Sequence, residues 1–232
     1  NTGPRHTIGV AEATLNSWPQ FRTIIDGLPI HFLHVKSPQD GAMPILLTHG
    51  WPGSVLEFLN AIPALVDPVA HGGSAGDAFD VVIPSLPGYG FSGKPDATGW
   101  GTERIANAWA TLMQRLGYSR FGAQGGDWGS AVTRAMAAMR VPGLAGIHLN
   151  MVVVFPPAGE TFTDGEARDA KEAADRHKAT GLGYSTQQST RPQTLGYGLA
   201  DSPAGQAAWI YEKLQAWTQN NGNPEDALTR DE

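Results

Sequence analysis

The sequence predicts an α/β protein, a doubly wound and mostly parallel sheet with a helical cap insertion, and three observations lead there. Short β-branched runs stopped by glycine or proline alternate with amphipathic helical stretches as far as Phe155. Three strand ends carry small-residue motifs: HGWPGS at 49–54, PGYGFS at 87–92 and GGDWGS at 125–130. Open α/β sheets place ligands at these carboxyl ends of their strands. Beyond Pro157 the chain turns polar and helical, without another β-branched run.

The elements follow in order. LPIHFLHV at 28–35 reads as a strand preceded by an IDG turn, and PILLTHG as a short buried strand. Ser54 starts a helical stretch, SVLEFLNAIPALV. FDVVIPSLPGYG repeats the strand-and-stop design, and TERIANAWATLMQRLGY is an amphipathic helix with Thr102 as its N-cap. SRFGAQGGD is a weaker strand, SAVTRAMAAMR a helix closed by VPG, and LAGIHLNMVVV another buried strand. These place residues 1–155 in the sheet-bearing core and 156–232 in a helical cap. NNGNPEDALTRDE carries a turn signal and a helix start.

Composition excludes several classes. The 232 residues can bury a substantial core. The 22 acidic against 16 basic residues, a formal charge of −6, argue against a nucleic-acid surface. Cysteine is absent, which rules out disulfides and thiolate metal sites. The apolar runs are too short for membrane spans and no signal-peptide pattern opens the chain, so it reads as soluble, with a cytoplasmic location expected.

QGGDWGS at 124–130 carries the chemistry. Its small-x-nucleophile-x-small spacing, with Gly125, Gly126 and Gly129 around Asp127, is that of a nucleophile elbow, a sharp strand-to-helix turn that presents one side chain above the sheet. Taken alone, Asp127 reads better as a helix cap, and a Gly-Pro cluster after a strand is usually only a turn. Three such motifs in order on successive strands make coincidence a poor explanation.

HGWPGS, PSLPGYGFS, QGGDWGS with GIHLN after it, and GYSTQQSTRPQTLGYGLADSPAGQAAWIYEKLQAW together resemble the epoxide hydrolase group of α/β-hydrolases. The likeness is to the branch of the microsomal and juvenile-hormone enzymes, from about Asn16 to the end of the chain. The resemblance implies Asp127 as nucleophile, the backbone amides of Trp51 and Trp128 as an oxyanion hole, and Tyr184 as one of two cap tyrosines holding the epoxide oxygen. It implies a small apolar epoxide and water as reactants, a detoxification role, no metal or organic cofactor, and is compatible with a homodimer. A carboxylate can open an epoxide by displacement at carbon, a phenol can protonate the departing oxygen, and two amides can stabilise the oxyanion when water attacks the resulting ester.

Other residues have simpler readings. His49 is expected to support its loop, and His148 to be a satisfied core histidine. Tyr184 stands evenly between a catalytic and a packing role. Tyr197 is a weaker candidate, and Tyr211 is expected to pack against the cap. Trp100, Trp109 and Trp217 read as core or cap-packing residues, and Arg191 has no derived role. None of His6, His31, His34, His71 or His177 sits in a pattern fit for a hydrolytic base. The family's histidine, its acid partner and its second tyrosine are expected outside this sequence, which reads as an interior portion of a longer protein. Two alternatives stay open: a haloalkane dehalogenase using the same aspartate, and a non-catalytic α/β-hydrolase-like binding module.

Overall fold

The fold is described from a computed structural model covering residue 9, residues 12–152 and residues 163–228. The expected boundary near Phe155 lies outside those residues. The chain divides into two compact units, Asn1–Val153 and Val154–Glu232.

Six strands build the sheet of the first unit: β1 (Gln20–Ile25), β2 (Leu28–Val35), β3 (Met43–Thr48), β4 (Phe79–Pro84), β5 (Phe121–Gly125) and β6 (Leu144–Leu149). Their spatial order is β1-β2-β4-β3-β5-β6. β1 and β2 form an antiparallel hairpin across Asp26 and Gly27, whose φ values of 51° and 78° suit a tight hairpin turn. β2 also runs antiparallel to β4, while β4, β3, β5 and β6 are mutually parallel neighbours. The chain leaves β3 for β4 on one side and returns to β5 on the other. Open α/β sheets bind ligands at such a reversal, which here falls at the carboxyl end of β3. Thr48 and Gly125 are paired across β3 and β5, so HGWPGS and GGDWGS leave the sheet side by side.

Alternation along the strands fills both faces. Phe32, Leu46 and Val82 join one core with Trp109, Leu112, Met113 and Met136 of the helices. Their neighbours Leu33, Leu47, Val81 and Ile83 join the other with Val55, Leu59 and Ile62. Each such side chain contributes about 1.5–3 kcal/mol by leaving water.

Helices complete the layers: α1 (residues 12–16), α2 (Ile62–Val66), α3 (Thr102–Arg115) and α4 (Trp128–Ala138). The structure departs from the expected elements at several points. The stretch after Ser54 is broken into a 3₁₀ turn, Val55–Phe58, and the short α2, because Pro63 suits only the first turn of a new helix. Thr102 is the first residue of α3 rather than its cap; Gly101 holds the cap position and the Thr102 hydroxyl donates to Glu103. β1 is a strand the sequence reading passed over. β6 is largely exposed rather than buried: among the described residues it pairs with β5 alone. Among the described residues His148, on β6, is exposed where a core position was expected.

The second unit is helical: α5 (Asp164–Arg176), a π turn at His177–Gly181, α6 (Gly183–Thr190), α7 (Pro192–Asp201) and α8 (Pro203–Trp217). A reciprocal capping box between Thr163 and Glu166 starts α5. Arg191 ends α6 and precedes Pro192, which opens α7. Pro224–Asp226 forms a 3₁₀ turn capped by Asn223. Among the described residues, no helix is long and apolar enough to cross a membrane.

Candidate active site

Asp127 occupies the residue before α4 with φ 51° and ψ −123°, a backbone region that side-chain-bearing residues rarely adopt. The surrounding glycines allow it. A Cβ on Gly125 would overlap the Gly129 carbonyl, and one on Gly129 would overlap the carbonyl of Thr48. Helix α4 is thus pressed onto the ends of β5 and β3, and the chain must turn sharply between them. Hydrogen bonds fix the turn. The Ser130 hydroxyl donates to Gly125 O at 2.8 Å, the Ser130 amide to Asp127 O at 3.0 Å, and the Gly126 amide to Thr48 O at 3.3 Å. Asn150, at the end of β6, donates from its amide to Gly125 O and lays its side chain against Gly126.

The HGWPGS loop completes the arrangement. The Trp51 amide donates to Asp127 Oδ1 at 2.8 Å, and Gly50 lies so close to the Asp127 side chain that any Cβ there would overlap it. A cis peptide joins Trp51 to Pro52. Trp128 opens α4, and first-turn amides of a helix have no partner within it, so they favour negative charge. Its indole is 55% exposed.

His49 is fully buried and braces this loop. Its Nε2 accepts from the Leu86 amide at 3.1 Å, which leaves the proton on Nδ1 for the Gly50 carbonyl at 3.1 Å. Burial lowers its pKa, against the raising influences of the Gly50 carbonyl and Asp127, so the ring is neutral and both nitrogens are engaged. His31 is similarly committed: Nε2 donates to Gln20 Oε1 at 3.0 Å, and Nδ1 accepts from the Ser85 hydroxyl at 2.9 Å. His34 bonds the Tyr118 hydroxyl at 2.8 Å.

Two residues near the aspartate escaped the sequence reading. Glu57 is exposed along much of its length, yet its carboxyl is tucked against Gly53. Desolvation, and then the Asp127 charge, push it up to about 7 against the Ser54 amide that donates to it. Tyr89, from PGYGFS, stacks edge-on against His49 at 5.4 Å and is pushed upward by burial and by Asp127. The PGY turn hinted at Tyr89; nothing local marked Glu57. An open groove of about 790 Å³, lined by Gln20, Arg22, His31, Leu56 and Phe91 among others, does not include Asp127 in its walls.

In the second unit, Tyr184 lies on α6 with its ring edge-on to Trp217 of α8 at 5.2 Å. Tyr197 is 68% and Tyr211 48% exposed, so Tyr211 does not pack as expected. Trp109 is fully buried in the first unit, and the Arg104 guanidinium covers Trp100 at 4.3 Å.

A mostly parallel switch-point sheet with a strained aspartate at the elbow defines the class. The chain belongs to the α/β-hydrolase fold family, whose model matches residues 43–224. The family model for the epoxide hydrolase N terminus matches residues 7–58. A Stigmatella aurantiaca protein that carries the epoxide hydrolase name is 61% identical over 223 residues, 96% of this chain and 51% of its own length. Rabbit (Oryctolagus cuniculus) epoxide hydrolase 1 is 40% identical, over 89% of this chain and 50% of that protein. Among solved structures, juvenile hormone epoxide hydrolase from the silkworm Bombyx mori superposes with a TM-score of 0.81 at 35% identity, covering 96% of this chain and 56% of that one. The chain therefore spans about half the length of the curated relatives it matches.

Proposed function

We propose that the protein opens an epoxide to a vicinal diol through a covalent ester on Asp127. The observation that carries this reading is the Trp51 amide at 2.8 Å from Asp127 Oδ1, on a carboxylate held at positive φ. An Asp127 oxygen attacks an epoxide carbon, its C–O bond forms as the ring C–O bond breaks, and the ring oxygen takes a proton from Tyr184. Water, deprotonated by the histidine base that the resemblance implies, then adds to the ester carbonyl. The amides of Trp51 and Trp128 hold the oxyanion until the diol leaves and the carboxylate is restored. The relatives' shared epoxide hydrolase name favours this reading over halide displacement by the same aspartate.

Mass spectrometry of the full-length protein mixed with a styrene-type epoxide tests it. An adduct on Asp127 is expected, with none in Asp127→Ala. Tyr184→Phe should slow ring opening by on the order of 10²-fold. An adduct mapped elsewhere overturns the assignment, halide release from a haloalkane without diol formation identifies the dehalogenase alternative, and binding without any adduct identifies a non-catalytic module.

A further inference from the structure

Helix α8 carries a lysine where its surroundings suit an apolar residue. Lys213 is 6% exposed, and among the described residues of the second unit only it and Pro224 are buried. Trp209, Lys213 and Trp217 follow one another at four-residue spacing, so they share one face of the helix. The ammonium sits 4.9 Å from the centre of the Tyr184 ring, 5.8 Å from Trp209 and 6.0 Å from Trp217. The ring of Tyr184 meets Trp217 edge-on, and the Trp209 indole N–H donates to Gln188 Oε1 at 3.0 Å, one helical turn beyond Tyr184 on α6. These contacts zip α6 to α8 with the lysine at the centre of an aromatic cage. Its ion-pair partner is the Glu212 carboxylate at 2.8 Å, whose side chain is 57% exposed.

Packing alone does not account for a cation here. A long apolar side chain would fill the same space without the cost of desolvating an ammonium. An ammonium against a phenol ring adds what an apolar residue cannot: it favours negative charge on that ring. α6, GYSTQQST, has no charged side chain, α7 has only Asp201, and the Pro224–Asp226 turn beside α8 carries Glu225 and Asp226; the carboxylate paired with the lysine is Glu212 on its own helix.

We propose that Lys213 is a positioning residue for ring opening: caged against Tyr184, it fixes the tyrosine ring and favours its phenolate form, making Tyr184 a stronger acid toward the epoxide oxygen. The inference rests on the catalytic reading of Tyr184. In the step concerned, the Tyr184 O–H bond breaks as the epoxide oxygen gains its proton and Asp127 gains the carbon. The phenolate left behind is balanced by Lys213, and the proton that water gives up during ester hydrolysis restores the phenol.

The test titrates the phenolate absorbance of Tyr184 in the full-length protein, isolated as the difference from Tyr184→Phe in each background. Lys213→Met should raise the Tyr184 titration by about one pH unit and slow adduct formation by about tenfold, with the alkaline limb of the rate profile displaced the same way. Lys213→Arg should restore both. Glu212→Gln, at an exposed position that leaves the cage intact, should move the titration downward by releasing the lysine's field, and it decides the matter if Lys213→Met does not fold. An unmoved Tyr184 titration in both Lys213→Met and Glu212→Gln, or in Glu212→Gln alone where the methionine variant is unfolded, overturns the proposal. Full ring-opening activity in Tyr184→Phe would instead remove the catalytic role of Tyr184, a failure distinct from an unmoved titration.

Discussion

The elbow and the helical unit position their key side chains by opposite means. Around Asp127 the backbone does the work: glycines at 50, 125 and 129 leave no room for a Cβ, and the carboxylate is held by a main-chain amide. Around Tyr184 the side chains do it, through Trp209, Lys213 and Trp217 on one helix face. The first unit buries Trp109, Phe121, Ile30 and Leu33 almost completely, whereas buried residues are scarce in the second. A site written in backbone clearances tolerates almost no substitution, while one written in side-chain packing should yield in small, local increments.

Substitutions ranked by expected size probe that contrast. Gly129→Ala should destabilise the full-length protein by about 3 kcal/mol or more, because a methyl there must displace the Thr48 carbonyl. An unchanged denaturation midpoint would break the comparison at its strongest point. Thr163→Ala, which removes the cap of α5, should cost about 1 kcal/mol and loosen only that helix, as hydrogen exchange along α5 would report.

Glu57→Gln sharpens the comparison through pH. Its folded pKa of about 7 lies above the ordinary value of 4.5, so the native state keeps a proton that the unfolded chain has lost in between. The associated stability is fully present below about pH 4.5 and is lost as pH rises through about 7. The glutamine variant should melt roughly 1–2 °C higher than the parent at about pH 8 and equally at about pH 4, a small effect because much of the side chain is exposed. A pH-independent difference between the two would show that Glu57 titrates alike in the folded and unfolded chains. Smallest of all, Lys171→Ala, which removes the exposed pair with Asp175 on α5, should change stability by no more than about 0.5 kcal/mol. A larger loss would mean that the helical unit depends on its surface charges.

The sequence announced the elbow because its requirements are local. Crowded glycines, a short strand stopped by them and a helical stretch directly after all leave marks within a few residues, and Asp127 stands where those marks point. β1 was missed because QFRTII does not alternate cleanly, with Phe21, Arg22 and Ile24 exposed across both faces, and its strand character comes from pairing with β2. LAGIHLNMVVV reads as core, but burial depends on what packs against a strand, and among the described residues β6 has β5 alone beside it. Glu57 and Lys213 look like ordinary solvated charges in their own segments. Their surroundings come from Gly53 and Asp127 in one case, and from Tyr184 on a separate helix in the other. Such proximities are set by the fold and leave no local signature.

β6 also bears on how the 232-residue chain should behave at high concentration. Among the described residues it pairs with β5 alone, and Ile147, Met151 and Val152 stand 41%, 42% and 65% exposed along and just beyond it. Ladder groups without a neighbour beside apolar side chains form a template on which a second copy can add as a strand. Dilute preparations of the 232-residue chain should stay clear while concentrated ones turn turbid, and a lysine placed at 147 should delay that onset by putting charge on the template.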